Sequence, residues 1–175
     1  LLLFFKKEVL PFFWFDDLSP ESHFILNGTA PALMDALHRA GLAHATLLIN
    51  FTPDADAAIA SGRNFADAIP PGQEALVVNI LHPHPPDDWP GARAAAALFA
   101  FTRHAALAWA PRRIRVNAIG LGVSPALPDQ PGASAVQAAG PAPAAPAATA
   151  DIAATIRAMW HFPSMTGQLI RLGAP

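Results

Sequence analysis

Five short apolar runs punctuate the chain: HFIL (His23 to Leu26), ATLLIN (Ala45 to Asn50), ALVVNIL (Ala75 to Leu81), IRVNAI (Ile114 to Ile119) and GQLIRL (Gly167 to Leu172). Each is continuous rather than alternating, the pattern of strands covered on both faces. Between them, helix-like spacing appears in PALMDALHRAG, opened by Thr29 or Pro31 and closed by Gly41, and again in DADAAIASGRNFADAI, ARAAAALFAFTRHAALAWA and TADIAATIRAMW. Strands alternating with helices predict an α/β fold with three layers and a mostly parallel sheet.

Two stretches break the alternation. LHPHPPDDWPG (Leu81 to Gly91) carries four prolines, which exclude it from helix and central strand and make it a loop after the third strand. Pro125 to Ala150 is an Ala/Pro-rich stretch with almost no charge, which predicts polyproline-like or disordered structure. Ahead of the first strand, LLLFFKKEVLPFFWF is strongly apolar, but Lys6, Lys7 and Glu8 interrupt it before the ~20 residues a spanning helix requires. Its charges also fall on the wrong side for a signal peptide, and the opening Leu1 suggests a processed or partial product. The expected organisation is an N-terminal aromatic segment, residues 1–22, followed by one domain over residues 23–175. Phe12, Phe13 and Trp14 read either as core or as an anchor on a protein partner or lipid surface.

Charged residues make up 14% of the chain and apolar ones 53%, against roughly 25% charged in an ordinary soluble domain. Some of the surface is therefore expected to be covered by protein subunits of a larger assembly. The net charge of −2 and the scatter of the eleven Lys and Arg leave no broad basic face, which disfavours nucleic acid as a partner. The absence of cysteine removes disulfides, thiolate nucleophiles and Cys-based metal sites.

Candidate chemistry is sparse. His82 and His84, with Asp87 and Asp88 nearby, could be a metal site, but the prolines and the lack of a third local histidine favour a polar loop. Ser61, Ser124 and Ser164 stand outside any Gly-x-Ser-x-Gly elbow. On the helix from Arg93 to Trp109, Leu98, Phe101, Ala105 and Trp109 recur near helical spacing beside Ala94 to Ala97. The apolar zone is wide enough for two buried faces, which predicts an interface at Leu98, Phe101 and Trp109.

In order, ALVVNIL, LFAFTRHAALAWAPR, IRVNAIGLG and DIAATIRAMWHFPSMTGQLIRL resemble the C-terminal half of the short-chain dehydrogenase/reductases, in the flavour of pteridine-reductase-like members. The resemblance covers about Gln73 to Leu172. It implies a Rossmann-like sheet with NAD(P) across the carboxyl ends of the strands, here reduced by something like two strand–helix units. Gly120, Gly122 and Asn79 are the vestigial cofactor positions it marks. The family's Tyr general acid falls on Gly91 and its Lys on Ala95, or on Trp89 and Arg93 two residues away, and the Ser falls near Leu81 or His82. No Tyr occurs in the chain and its only lysines are Lys6 and Lys7, so the usual phenol-to-carbonyl proton transfer is unavailable. The family's glycine cradle is matched in ILNGTAPALMDALHRAG by Gly28 alone. The alternative alignment sets TLLINFTP against the Asn-Asn-Ala-Gly strand and keeps only Asn50. After TGQ, the family's Asp-Gly-Gly is replaced by Gly173, Ala174 and Pro175.

The expectation is a non-catalytic structural or assembly subunit without a resident cofactor. Two alternatives stand beside it: an NAD(P)-dependent reductase with an atypical proton donor such as His82, and a regulatory module binding a nucleotide or pterin. The expected location is the cytoplasm or an organelle matrix, with attachment at the periphery of a membrane complex as a further option.

Overall fold

The apolar runs pair side by side in the order in which they occur. The computed structural model describes residues 24–42, 44–85, 87–122 and 149–172. Its elements are β1 (Phe24–Asn27), α1 (Pro31–Arg39), β2 (Leu47–Asn50), α2 (Ala55–Ala68), β3 (Ala75–Leu81), α3 (Trp89–Trp109), a 3-10 turn (Ala110–Arg112), β4 (Ile114–Leu121), α4 (Thr149–His161) and β5 (Leu169–Leu172). The five strands form one sheet in the order β1-β2-β3-β4-β5, with every pairing parallel. The expected three-layer parallel α/β architecture is therefore present.

Alternate strand residues feed two cores. Leu47, Ile49, Leu76, Val78, Ile80 and Ile119 meet α1 and α4 on one face. Leu48, Val77, Ile114, Val116 and Ala118 meet α2 and α3 on the other. β2 and β3 are buried along their whole length, which is why they read as unbroken apolar runs.

Two expectations require correction. β1 and β2 are neighbours, with Asn27 in register with Asn50, so the two segments that compete for one place in the alignment occupy adjacent strands, one helix apart. Trp89, Pro90 and Gly91 belong to the first turn of α3 rather than to the preceding loop. Asp88 caps that turn by accepting from the Gly91 N–H at 3.0 Å, and proline is tolerated there because first-turn N–H groups have no helical partner. At α1 the cap position is Ala30, without a side-chain cap, and Pro31 opens the helix. Asp54 caps α2 through the N–H groups of Asp56 and Ala57.

The wording of β4 also finds its physical reason. Arg115 and Asn117 point to the α4 side. The Arg115 guanidinium donates to the carbonyls of Met159, Trp160 (3.0 Å) and Phe162 (3.0 Å) and lies 5.8 Å from the centre of the Trp160 ring. A cation there satisfies the orphan carbonyls and complements the negative end of α4. Burial lowers the pKa of Arg115, opposed by the charge of Glu74, and the group stays cationic. Asn117 donates to the Met165 carbonyl at 2.9 Å and accepts from the Gln168 N–H at 3.1 Å, which fixes the return into β5. The residues that answer the family's pattern here are crossover clamps.

Candidate functional site at the carboxyl edge of the sheet

In open parallel sheets the strands' carboxyl ends are where ligands bind. Here β1, β2 and β3 each bring an asparagine to that edge. Asn27, Asn50 and Asn79 are adjacent in register, buried, and joined by their side chains into a ladder. Asn27 Nδ2 donates to Asn50 Oδ1 at 3.1 Å, and Asn50 Nδ2 donates to Asn79 Oδ1 at 2.8 Å and to the Ala58 carbonyl at 3.2 Å. Asn79 Nδ2 donates to Thr102 Oγ1 at 2.9 Å, and the Thr102 hydroxyl donates to the Leu98 carbonyl at 2.8 Å. The chain of bonds runs across three strands into α2 and α3. Asn79, one of the vestigial cofactor positions, thus has both ends of its amide engaged within the protein.

Gly28 follows the ladder at the end of β1 with φ +122°. A Cβ at that position would collide with the Phe51 carbonyl, while the Phe51 N–H donates to the Asn27 carbonyl at 2.8 Å. The glycine is required by the close approach of the chain leaving β2. Gly122 also has a left-handed φ, +80°, and its backbone faces Pro83. A Cβ on Gly120 would meet Leu169 Cδ1 at 3.6 Å, an ordinary contact.

Beyond β3 the prolines turn the chain over the start of α3. The Phe51 ring meets the His82 ring edge-on at 4.9 Å between centroids. His82 is half-buried rather than a solvated loop residue, and burial lowers its pKa. A small hollow of about 90 Å³ lies here, lined by residues that include Thr52, His82, His84, Asp88, Gly91 and Ala95. The Nε2 atoms of His82 and His84 are buried without a hydrogen-bond partner among the described residues. Gly91 and Ala95, on which one of the two registers of the resemblance sets the family's Tyr and Lys, both line this hollow. A Cβ on Gly91 would run into the Asp88 carboxylate and His84 Cβ, so the space beside the Tyr position is occupied by the protein. Among the described residues no group of three His, Asp or Glu is placed to hold a metal ion.

Within its own chain α3 buries one face. Leu98 and Phe101 pack on the chain's own sheet, and Trp109 meets Phe101 edge-on at 5.7 Å beside α2. Leu98 and Phe101 are buried and Trp109 is partly buried, and the outward face of α3 carries Ala96, Ala97 and Ala100 with Leu107 at 81% exposure. Phe12, Phe13, Trp14 and most of the 125–150 stretch lie outside the described residues. Among the described residues no helix is long and apolar enough to cross a membrane. Sequence reasoning missed Asn27, Phe51 and Thr102; the one available signal was an Asn in each of three successive apolar runs.

No protein-family model matches the chain, and no curated protein matches it. Solved structures are similar to it in fold. Enoyl-[acyl-carrier-protein] reductase (NADH) from Aquifex aeolicus shares 15% identity over 81% of this chain and 70% of its own, with a TM-score of 0.51. Acetoin dehydrogenase from Salmonella typhimurium shares 18% over 82% and 70%, with a TM-score of 0.50. A short-chain dehydrogenase/reductase family oxidoreductase from Brucella ovis, in complex with a partially ordered NAD, shares 22% over 72% of this chain, at a TM-score of 0.47. This chain spans 64% of the Brucella protein, less than two thirds of its length. At these identities the likeness establishes the fold alone, a Rossmann-like parallel sheet.

Proposed function

We propose that this chain is a non-catalytic, short-chain-dehydrogenase-like protein that serves as a structural or assembly subunit of a larger complex. The observation that carries the reading is the state of the carboxyl edge. Its asparagines are bonded to one another, and the hollow beside the Tyr and Lys positions holds about 90 Å³, against the roughly 300–1,000 Å³ of a typical ligand pocket. The missing Tyr and the confinement of Lys to Lys6 and Lys7 support it from the sequence. His82 is a poor replacement acid, because burial favours its neutral form.

A regulatory ligand-binding reading rests on a different observation, the two unpaired imidazole nitrogens at the hollow. The same purified chain tests both. A ligand held at 100 times its Kd raises stability by about 2.7 kcal/mol, so the assembly reading expects no thermal shift with NADH, NADPH or dihydropterin. It also expects a solution mass above that of the 18.4 kDa chain, alone or with co-purifying subunits, that falls when Ala97→Glu places a charge on the outward face of α3. A monomer that oxidises NADPH overturns the proposal.

A further inference from the structure

Away from the carboxyl edge, an open groove of about 500 Å³ runs between α1 and α4. Alanines of both helices line it, among them Ala154, together with Phe162, Arg39, Arg157 and His161. Phe162 is 57% exposed. Neither Arg39 nor Arg157 forms an ion pair among the described residues, although Asp35 stands one helical turn before Arg39. An apolar lining bordered by unpaired cations suits an occupant that is aromatic and acidic at once.

The chain contains such a segment. PFFWFDD, Pro11 to Asp17, sets four consecutive aromatic residues against two carboxylates. Its connection to the domain also brings it to the groove. Phe24, the first residue of β1, lies with its ring centre 6.4 Å from that of His38, the residue next to Arg39. Phe24 follows Asp17 by seven Cα-to-Cα steps, a reach of up to about 24 Å. The α4 wall of the groove, Ala150 to Phe162, is about 18 Å long at 1.5 Å per residue.

We infer that residues 12–17 dock in the α1–α4 groove of their own chain, with Phe12 to Phe15 on the alanine lining and Asp16 and Asp17 against Arg39 and Arg157. Tethering places the segment at an effective concentration in the millimolar range, so contacts too weak to hold a free peptide suffice. The inference goes beyond the assembly reading and stands apart from it, because the aromatic segment is then committed to its own domain and the assembly surface is the outward face of α3.

The cysteine-free chain makes the test direct. Trp14→Cys is paired with Ala154→Cys in the groove, and separately with Ala60→Cys, an exposed position on α2 across the sheet. Under mild oxidation the groove pair is expected to cross-link within one chain about ten-fold faster than the control pair. Arg39→Glu with Arg157→Glu should slow the groove cross-link several-fold, and Asp16→Lys with Asp17→Lys added to that background should restore it. All of the domain positions altered are exposed, so the fold survives the changes and circular dichroism verifies it. Equal rates for the two pairs, a cross-link between two chains, or indifference to charge reversal would each overturn the inference.

Discussion

At the amino-terminal half of β4, Arg115 and Asn117 tie a helix end and a strand entry to the sheet. At the carboxyl edge, Asn27, Asn50 and Asn79 tie the strands to one another, and His82 and His84 have buried nitrogens without a partner among the described residues. The first region binds backbone groups of the α4-to-β5 connection and does structural work. The second lies where open parallel sheets bind ligands, and its asparagine side chains are engaged with one another. Polar groups that serve the fold can persist wherever the fold persists, because losing one strands a buried donor or acceptor.

Three substitutions would break or sharpen that contrast. The largest effect is expected from Asn50→Ala. It removes the centre of the ladder and leaves the Asn27 amide, the Asn79 carbonyl oxygen and the Ala58 carbonyl without their partner. At about 1–3 kcal/mol for each stranded group, with incomplete additivity, the loss should be about 3–5 kcal/mol in urea unfolding. A loss below about 1 kcal/mol would mean that the ladder is not structural and that the carboxyl edge remains available for a ligand.

Next comes Arg115→Ala, expected to cost about 2–3 kcal/mol through the lost carbonyl bonds and the exposed end of α4. Arg115→Lys should recover less than half of this, since a single ammonium cannot fork across three carbonyls. Full recovery with Lys would reduce the clamp to a simple charge effect.

The smallest effect belongs to His82→Phe, which removes an unpaired buried nitrogen and keeps a ring beside Phe51. At pH 7 the change should lie within about 1 kcal/mol of neutral. Its signature is in the pH dependence. Burial holds the folded pKa of His82 below the ordinary 6.5, so as pH falls the unfolded chain takes up the proton first. The stability tied to the neutral imidazole is complete above about pH 6.5 and is lost as pH drops from there towards the lowered folded value. The Phe variant should therefore gain on the natural chain between pH 7 and pH 5. A constant difference across that range would place the imidazole in solvent and dissolve the contrast between the edges.

Much of the layer order was legible in advance, and β3 ran over the expected residues, because a strand covered on both faces leaves an unbroken apolar run. The helix starts were less legible. Proline ordinarily signals a loop, and only the Asp88 cap shows that Pro90 sits inside a first turn. Leu98, Phe101 and Trp109 were legible as buried, but not as buried against their own sheet. A helical stripe has the same spacing whether it meets the chain that carries it or another one.

By itself the sequence determined the class of fold, since periodicity records burial, and it supplied the absence of Tyr on which the proposed function draws. Tertiary structure alone decided what the remaining polar groups do. It set β1 beside β2 so that Asn27 meets Asn50, used Gly28 for the passage of the Phe51 carbonyl, and left Arg39 and Arg157 over an apolar groove with no ion pair among the described residues. These outcomes depend on register and on which faces meet, and a linear pattern of residues does not encode the distance between positions that folding brings together.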